Sequence, residues 1–240
     1  MLTLLFPPHT HTHTRTHTSF SCDIYLVGAK AAIAAAMETH FASEQIVSSS
    51  CVAVGNIAAA EHVFPAYAET KFKVSTSLLD NAIKGMHFHE SSAIVQMRCA
   101  FAIGAICRSS ATLQRHATRF LGAPTILKAM KNFEKDKSVQ WRAAFAINNV
   151  VSLNPAARET FGVEGVGAIL SAMREFPEDT RLQRWCCESL YNLIRGNNEN
   201  LKACTSHGGV ETVLRALKLD KSDTILVARA DDLINALWEF

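Results

Sequence analysis

Apolar side chains recur along the chain at helical spacing, and the segments that carry them resemble one another at a regular interval. Four stretches align residue by residue and start 44, 43 and 43 residues apart: Val95–Arg108, Val139–Ser152, Leu182–Arg195 and Ile225–Trp238. Self-similarity at a period of about 40 to 47 residues in helical segments is typical of stacked-helix solenoids. The pattern therefore predicts an all-α fold without a sheet, in which each unit packs on its neighbours.

A second pattern precedes these long helices. A glycine is followed five residues later by Ile or Leu on the expected helical face, at Gly28, Gly122, Gly165 and Gly209. Glycine suits a sharp turn between two helices because it tolerates a positive φ and close backbone approach. Short polar loops then supply Asp, Ser and Thr as N-caps for the long helix. Each unit is predicted to contain a short helix, a turn at glycine, a medium helix, a polar loop and a long helix.

One unit is longer than the others. Its period is 49 residues, and Val74 stands where the glycine is expected. We expect the extra residues to form a longer loop at 85–92, since loop-closure entropy grows slowly with length. His87, His89 and Glu90 in this stretch have metal-ligand chemistry but no further ligands nearby in the sequence. No metal site is predicted there.

The first 22 residues differ in composition from the rest of the chain. A His/Thr tract follows Pro7 and Pro8 and lacks the apolar residues that a core requires. Imidazoles at short range can bind a metal, but the biased composition favours a disordered low-complexity leader. We predict this leader at 1–22 and a repeat domain at 23–240 of about four and a half units, divided as 23–60, 61–109, 110–153, 154–196 and 197–240.

Composition limits the remaining classes of function. The net charge of +2 argues against a nucleic-acid-binding surface, and no apolar run is long enough for a membrane span. The seven cysteines include no Cys-x-x-Cys motif. Four of them lie in one segment of the repeated helix, so we expect buried, reduced thiols and a cytoplasmic or nuclear location; these are Cys51, Cys99, Cys186 and Cys187.

No catalytic motif is present in the sequence. The chain lacks a P-loop and the patterns G-x-G-x-x-G, G-x-S-x-G and H-E-x-x-H. Helical-repeat di-iron hydroxylases have a similar architecture, but they need His-Glu pairs in several repeats, and here only His89-Glu90 occurs. We therefore predict a protein that is not an enzyme and has no cofactor.

The helical units resemble armadillo repeats over roughly residues 23–240. The resemblance rests on three helices per unit, a small pair such as Gly209-Val210 at the first turn, and a third helix ending Leu190-Tyr-Asn-Leu193. It implies a right-handed superhelical solenoid whose third helices line a concave face, where a row of Asn side chains holds the backbone of an extended peptide. Four residues match this row, which Ala105 interrupts: Asn56, Asn149, Asn192 and Asn235.

The chemistry of these residues favours the same interpretation. An amide both donates and accepts hydrogen bonds, and Asn is unfavourable inside a helix, so its repetition at one phase indicates a function. The alternative is that these amides bond within the solenoid. Neighbours on the same helical face are arginines and aromatics, which dominate binding hot spots, together with one acidic residue, Glu188. These candidate peptide-binding residues are Arg98, Phe101, Arg142, Phe145, Trp185, Glu188 and Arg195. For Phe101 and Phe145, packing against the next repeat is an equal alternative.

The groove residues also indicate the charge of the ligand. Importin-α members of the armadillo family carry Trp four residues before the Asn, whereas this chain has Val52, Phe101, Phe145, Glu188 and Asp231. Nuclear-localisation-signal binding is therefore not favoured. Arginines in the middle of the groove favour acidic or phosphorylated segments, as in the catenin-like branch.

We predict a non-catalytic scaffold for a protein or peptide partner, which binds an extended acidic segment in the concave groove. The alternative is an armadillo fragment of a larger multidomain signalling protein, since the chain opens at a second helix and ends after a third. A nuclear-import-type adaptor and a HEAT-like metalloenzyme are less favoured. Solenoids need polar caps, so we expect a partner, a missing segment or self-association to cover the face around Leu233, Leu237 and Trp238.

Overall fold

The computed structural model describes residues 28–63, 76–108 and 110–238 of the chain, with the side chains of 61–63 left out. These ranges contain twelve helices and no strand, which confirms the all-α prediction. The predicted leader at 1–22 lies outside them. The helices follow in the order α1 (28–39), α2 (Glu44–Val63), α3 (Thr76–Phe88), α4 (Ala93–Cys107), α5 (Ala111–Arg119), α6 (Gly122–Asn132), α7 (Lys137–Val151), α8 (Pro155–Glu175), α9 (Thr180–Ile194), α10 (Asn198–Ser206), α11 (Gly209–Leu219) and α12 (Thr224–Trp238).

The helices repeat as units of three. The third helices α2, α4, α7, α9 and α12 pack on one another in chain order, and each carries one copy of the repeated apolar pattern. The second helices are α1, α3, α6, the later part of α8, and α11. The first helices are α5, the early part of α8, and α10. In α8 the two helices join at Gly162, whose φ of 51° and ψ of −153° break the helical path.

The loops between second and third helices are uniform. Each has four residues, at 89–92, 133–136, 176–179 and 220–223. The side chain of the last loop residue accepts a hydrogen bond from a backbone N–H of the following helix, as the polar sequence of these loops led us to predict. These N-cap residues are Ser92, Asp136, Asp179 and Asp223. Such an N-cap stabilises a helix by about 1 kcal/mol.

The expectation of a longer loop at 85–92 is wrong. Helix α3 continues through Phe88, and the loop after it has the same length as its counterparts. Helix α2 has 20 residues, against 15 in each later third helix. Because the loop after α3 has the ordinary length, the extra residues of this unit do not lie in it, and α2 is itself five residues longer than its counterparts.

The glycines at the start of the second helices allow close approach rather than a positive φ. A Cβ on Gly122 would lie 2.7 Å from the Ala117 carbonyl oxygen, and one on Gly209 would lie 2.5 Å from that of Cys204. The left-handed conformation falls one residue earlier, at Leu121 (φ 61°) and Gly208 (φ 74°). Two adjacent residues therefore make the turn: the first adopts a positive φ, and the glycine after it allows the two backbones to come close.

A buried glutamine joins the second helix to the third in three successive units. Gln96, Gln140 and Gln183 occupy one position near the start of α4, α7 and α9, and each is 2% exposed. The Nε2 atom of Gln140 donates to the carbonyl oxygens of Met130 (2.8 Å) and Phe133 (2.9 Å), and the other two glutamines repeat this geometry. The bond to Met130 and its counterparts to Met86 and Met173 satisfy carbonyls in the last turn of the second helix, whereas the carbonyls of Phe133, His89 and Phe176 also accept a backbone N–H from the loop.

The thiols are buried in the core. The six described cysteines are free and buried, as the sequence predicted, while Cys22 lies outside the described ranges. Burial raises the pKa of Cys204 to about 12, and burial together with the charge of Glu188 raises that of Cys187 to about 12. Within the part of the chain described, no helix combines the length and hydrophobicity needed to cross a membrane.

Candidate functional site

The third helices bring four of the predicted site residues to one open groove. A cavity of about 570 Å³ is bordered by Asn149, Trp185, Glu188 and Asn192. Its other lining residues are Arg108, Asn148, Ser152, Leu153, Arg184 and Ile225. Helices α7 and α9 supply most of the wall, because equivalent faces of adjacent third helices point the same way when units stack in register.

The central amides are hydrogen-bonded within the solenoid. Asn149 is buried, and its Nδ2 atom donates to the Phe145 carbonyl oxygen at 3.0 Å. Asn192 is half-buried, and its Nδ2 atom donates to Oδ1 of Asn148 at 2.7 Å. An Asn side chain has two N–H donors and an acceptor oxygen. Each amide therefore keeps capacity for a further bond at the groove surface.

The remaining positions of the Asn row lie on the outer units. Asn56 on α2 and Asn235 on α12 are exposed. Ala105 on α4 is buried and interrupts the row, as the sequence indicates. The structure thus brings Asn149 and Asn192 together and leaves the other two apart from them.

The aromatic residues of this face pack on one another along the stack. The Phe101 and Phe145 rings are stacked with centroids 5.9 Å apart, and Phe145 meets Trp185 edge-on at 4.8 Å. Each phenylalanine also covers a glycine of the preceding third helix. A Cβ on Gly55 would lie 2.5 Å from the Phe101 ring, and one on Gly104 would lie 2.6 Å from that of Phe145.

Two arginines predicted for the site, Arg98 and Arg142, are not among the residues that line this cavity, and they lack acidic partners. The Nη1 atom of Arg98 donates to Ser48 Oγ at 3.2 Å, and that of Arg142 donates to the Ser138 carbonyl at 3.4 Å. Among the described residues, no carboxylate lies within ion-pair distance of either guanidinium. Burial lowers the pKa of Arg142, and the nearby charges of Arg181 and Arg98 lower it further.

An indole lies between two of these positive charges. The Arg142 guanidinium is 4.2 Å from the Trp141 ring centroid, and that of Arg181 is 5.2 Å from it. Cation–π contacts of this kind hold guanidinium groups in place at the surface. Sequence reasoning missed Trp141 and Arg181, because neither lies at the spacing from the Asn row that was used to select the face.

Charges at the other end of the groove are paired. Arg229 contacts Glu188 (3.3 Å) and Asp232 (3.0 Å), and its guanidinium lies 4.4 Å from the Tyr191 ring centroid. The Nη2 atom of Arg195 donates to the Ser152 carbonyl oxygen at 3.1 Å, between adjacent units. The arginines without an acidic partner therefore lie on α4, on α7 and at the start of α9, whereas Glu188 and Asp232, on α9 and α12, are paired with Arg229.

The histidines that suggested a metal have other partners. A ring nitrogen of His89 bonds the Phe41 carbonyl oxygen at 2.9 Å, and Glu90 bonds Lys128 Nζ at 2.6 Å. Across the ranges that the structure describes, no three His, Cys, Asp or Glu side chains are grouped closely enough to hold a metal ion.

These features define an all-α solenoid of stacked three-helix units with a polar groove on its third helices. Neither a protein-family model nor a curated protein matches the chain. Solved structures do. A designed armadillo repeat protein in complex with the peptide (KR)4 is similar with a TM-score of 0.66 and 16% identity, over 89% of this chain and 84% of that one.

Two engineered proteins are also similar to the chain. One has a TM-score of 0.65 and 17% identity over 96% of both chains. The other has a TM-score of 0.60 and 16% identity over 88% of this chain and 97% of that one. The fold is therefore an armadillo-like repeat solenoid.

Proposed function

We propose that this protein is a non-catalytic scaffold that binds an extended, acidic protein segment along the face of its third helices. The observation that carries the proposal is that Arg142 has two further positive charges nearby, Arg98 and Arg181, and that none of the three is in an ion pair among the described residues, although Asp136 lies near Arg142 and Asp179 near Arg181. Like charges crowded on a half-buried surface are unfavourable unless a ligand of opposite charge relieves them.

The two central amides suit the backbone of such a segment. An extended chain advances about 3.3 Å per residue, and packed helices lie about 8–10 Å apart. Asn149 and Asn192 belong to adjacent third helices, so each would meet roughly every third residue of the ligand. Trp185 lies beside them and offers a flat apolar surface to an intervening side chain.

The comparison with solved structures supports a peptide as the ligand. The designed armadillo repeat protein is seen with (KR)4, a basic peptide. In this chain, the arginines on α4, α7 and α9 that have no acidic partner favour a peptide of the opposite charge. We place this activity in the cytoplasm or nucleus, where free thiols persist.

Binding of peptides of defined charge tests the proposal. Fluorescently labelled peptides of equal length, rich in Glu, in Ser and Gly, or in Lys, would be titrated with the full chain at low and high salt. We expect the acidic peptide to bind most tightly and to weaken as salt screens the arginines. Equal affinity for all three peptides would overturn the proposal.

Variants locate the site. Arg98→Glu with Arg142→Glu should weaken the acidic peptide at least about tenfold, since charge-assisted contacts contribute about 1.5–3 kcal/mol. Asn149→Ala with Asn192→Ala should weaken all peptides that bind. Lys131→Glu with Lys218→Glu makes the same charge change at exposed positions on second helices and is the matched control. If the control pair weakened binding as much, the site would lie elsewhere.

A further inference from the structure

Two buried thiols from neighbouring units meet between α2 and α4. The Sγ atoms of Cys51 and Cys99 lie 2.6 Å apart, and the two residues are 1% and 0% exposed. Each follows a buried valine by four residues, Val47 on α2 or Val95 on α4. Among the six cysteines in the described ranges, this is the one pair in which two sulfur atoms are in contact.

A third helix closes the space around the pair. The backbone of α3 comes so near at Gly85 that a Cβ there would lie 2.8 Å from Val47 Cγ1 and 3.4 Å from Cys99 Sγ. Helices α2, α3 and α4 therefore enclose the thiols without room for a bulky reagent. Only a small oxidant can reach them, during brief openings of the helix interface.

We propose that Cys51 and Cys99 form a reversible disulfide that links the first two third helices when the protein meets hydrogen peroxide or another small hydroperoxide. The two sulfur atoms are already in contact, so a disulfide between them does not require the two helices to be brought together from a distance.

The reaction is a two-electron oxidation of the two thiols. One thiol loses its proton, its sulfur attacks a peroxide oxygen, an S–O bond forms and the O–O bond breaks. The departing hydroxide takes that proton and leaves as water. The second sulfur then displaces the hydroxyl group of the sulfenic acid, the S–S bond forms, and the second thiol proton leaves in another water molecule. The sulfur atoms supply both electrons, and the peroxide accepts them.

The surroundings make the reaction slow in the closed structure. Burial raises the pKa of Cys99 well above its usual value, and the hydrogen bond with Cys51 raises it further. Thiolate, the reactive form, is therefore scarce until the interface opens. Mild urea should speed the formation of the disulfide without unfolding the chain, because it increases the population of open states.

Peptide mapping of the full chain tests this directly. The protein would be treated with hydrogen peroxide, its remaining thiols alkylated, and its peptides separated without reductant. We expect a linked pair of peptides containing Cys51 and Cys99, which dithiothreitol separates. Because the bond closes a loop across 48 residues, the oxidised form should also melt several degrees higher.

Two cysteine variants, compared with the peptide map of the wild-type protein, complete the test. Cys51→Ala should abolish the linked pair and the rise in Tm. Cys107→Ala is the matched control, since Cys107 is equally buried but its sulfur contacts the Leu113 carbonyl oxygen. Alkylation of both Cys51 and Cys99 after peroxide treatment, or a crosslink to a different cysteine, would overturn the proposal. The peptide map of the wild-type protein reveals either outcome even if a variant fails to fold.

Discussion

Replacing Gln140 by methionine should cost about 2 kcal/mol of unfolding free energy. The substitution keeps the length of the side chain but removes two hydrogen bonds, to the carbonyl oxygens of Met130 and Phe133. The Met130 bond is fully buried, so losing it costs about 1–3 kcal/mol. The Phe133 carbonyl still accepts a bond from Asp136 N at 2.9 Å in the variant. Losing its bond from Gln140 therefore adds only about 0.5–1 kcal/mol. Burial of the apolar methionine returns about 1 kcal/mol.

Urea denaturation followed by circular dichroism measures this difference. For a chain of this size the expected loss corresponds to about 4–8 °C in Tm. Gln45→Met is the matched control, because Gln45 is exposed in the first turn of α2, and its replacement should change stability by less than about 0.5 kcal/mol. Equal stability of the two variants would refute the reasoning that these glutamines hold the second and third helices together.

Two further predictions concern packing and charge. Gly104→Ala should lower the unfolding free energy by about 1–3 kcal/mol, because the new methyl group would lie 2.6 Å from the Phe145 ring, whereas Gly167→Ala, with nothing within 4 Å, should raise it by up to about 1 kcal/mol; urea denaturation of both variants checks the contrast. Burial alone would raise the pKa of Asp179, but the bond from the Leu182 N–H and a nearby lysine lower it overall. Asp179 thus stabilises the fold above its unfolded pKa and loses this effect as pH falls through the folded value. Asp179→Ala should therefore cost about 1 kcal/mol at neutral pH and progressively less in acid, and unfolding measured across that range would contradict this if the difference stayed constant.

The period of the apolar pattern was sufficient to predict the architecture. Helical repeats bury their faces mainly against adjacent copies, so the spacing of the apolar positions carries most of the fold. The N-cap residues were predictable for the same reason, since a cap depends on a few neighbouring residues. The place of the extra length was not, because the sequence around 85–92 gives no sign that α3 continues through Phe88.

The candidate site was predicted only in part. The phase of Asn149 and Asn192 predicted that they share a face, and both border one cavity, but their bonds to Phe145 and Asn148 depend on side-chain packing that one helix cannot reveal. The buried glutamines could have been found, because Gln recurs with the same period as the apolar residues. Trp141, by contrast, has no counterpart in neighbouring units, and only the stacked structure places it between two arginines.

The phenylalanines that cover glycines have a consequence for how such an array can evolve. Each contact joins a glycine in one unit to a ring in the next, at Gly55 with Phe101 and at Gly104 with Phe145. The following unit has Asn148 in place of the glycine and is succeeded by Glu188 rather than a phenylalanine. If the unit that contains α7 were lost, Gly104 on α4 would face Glu188 on α9, and no ring would fill the space beside the glycine. These glycine–phenylalanine contacts therefore depend on the order of the units. An array of this kind tolerates the deletion or exchange of whole units less well than one built from identical copies.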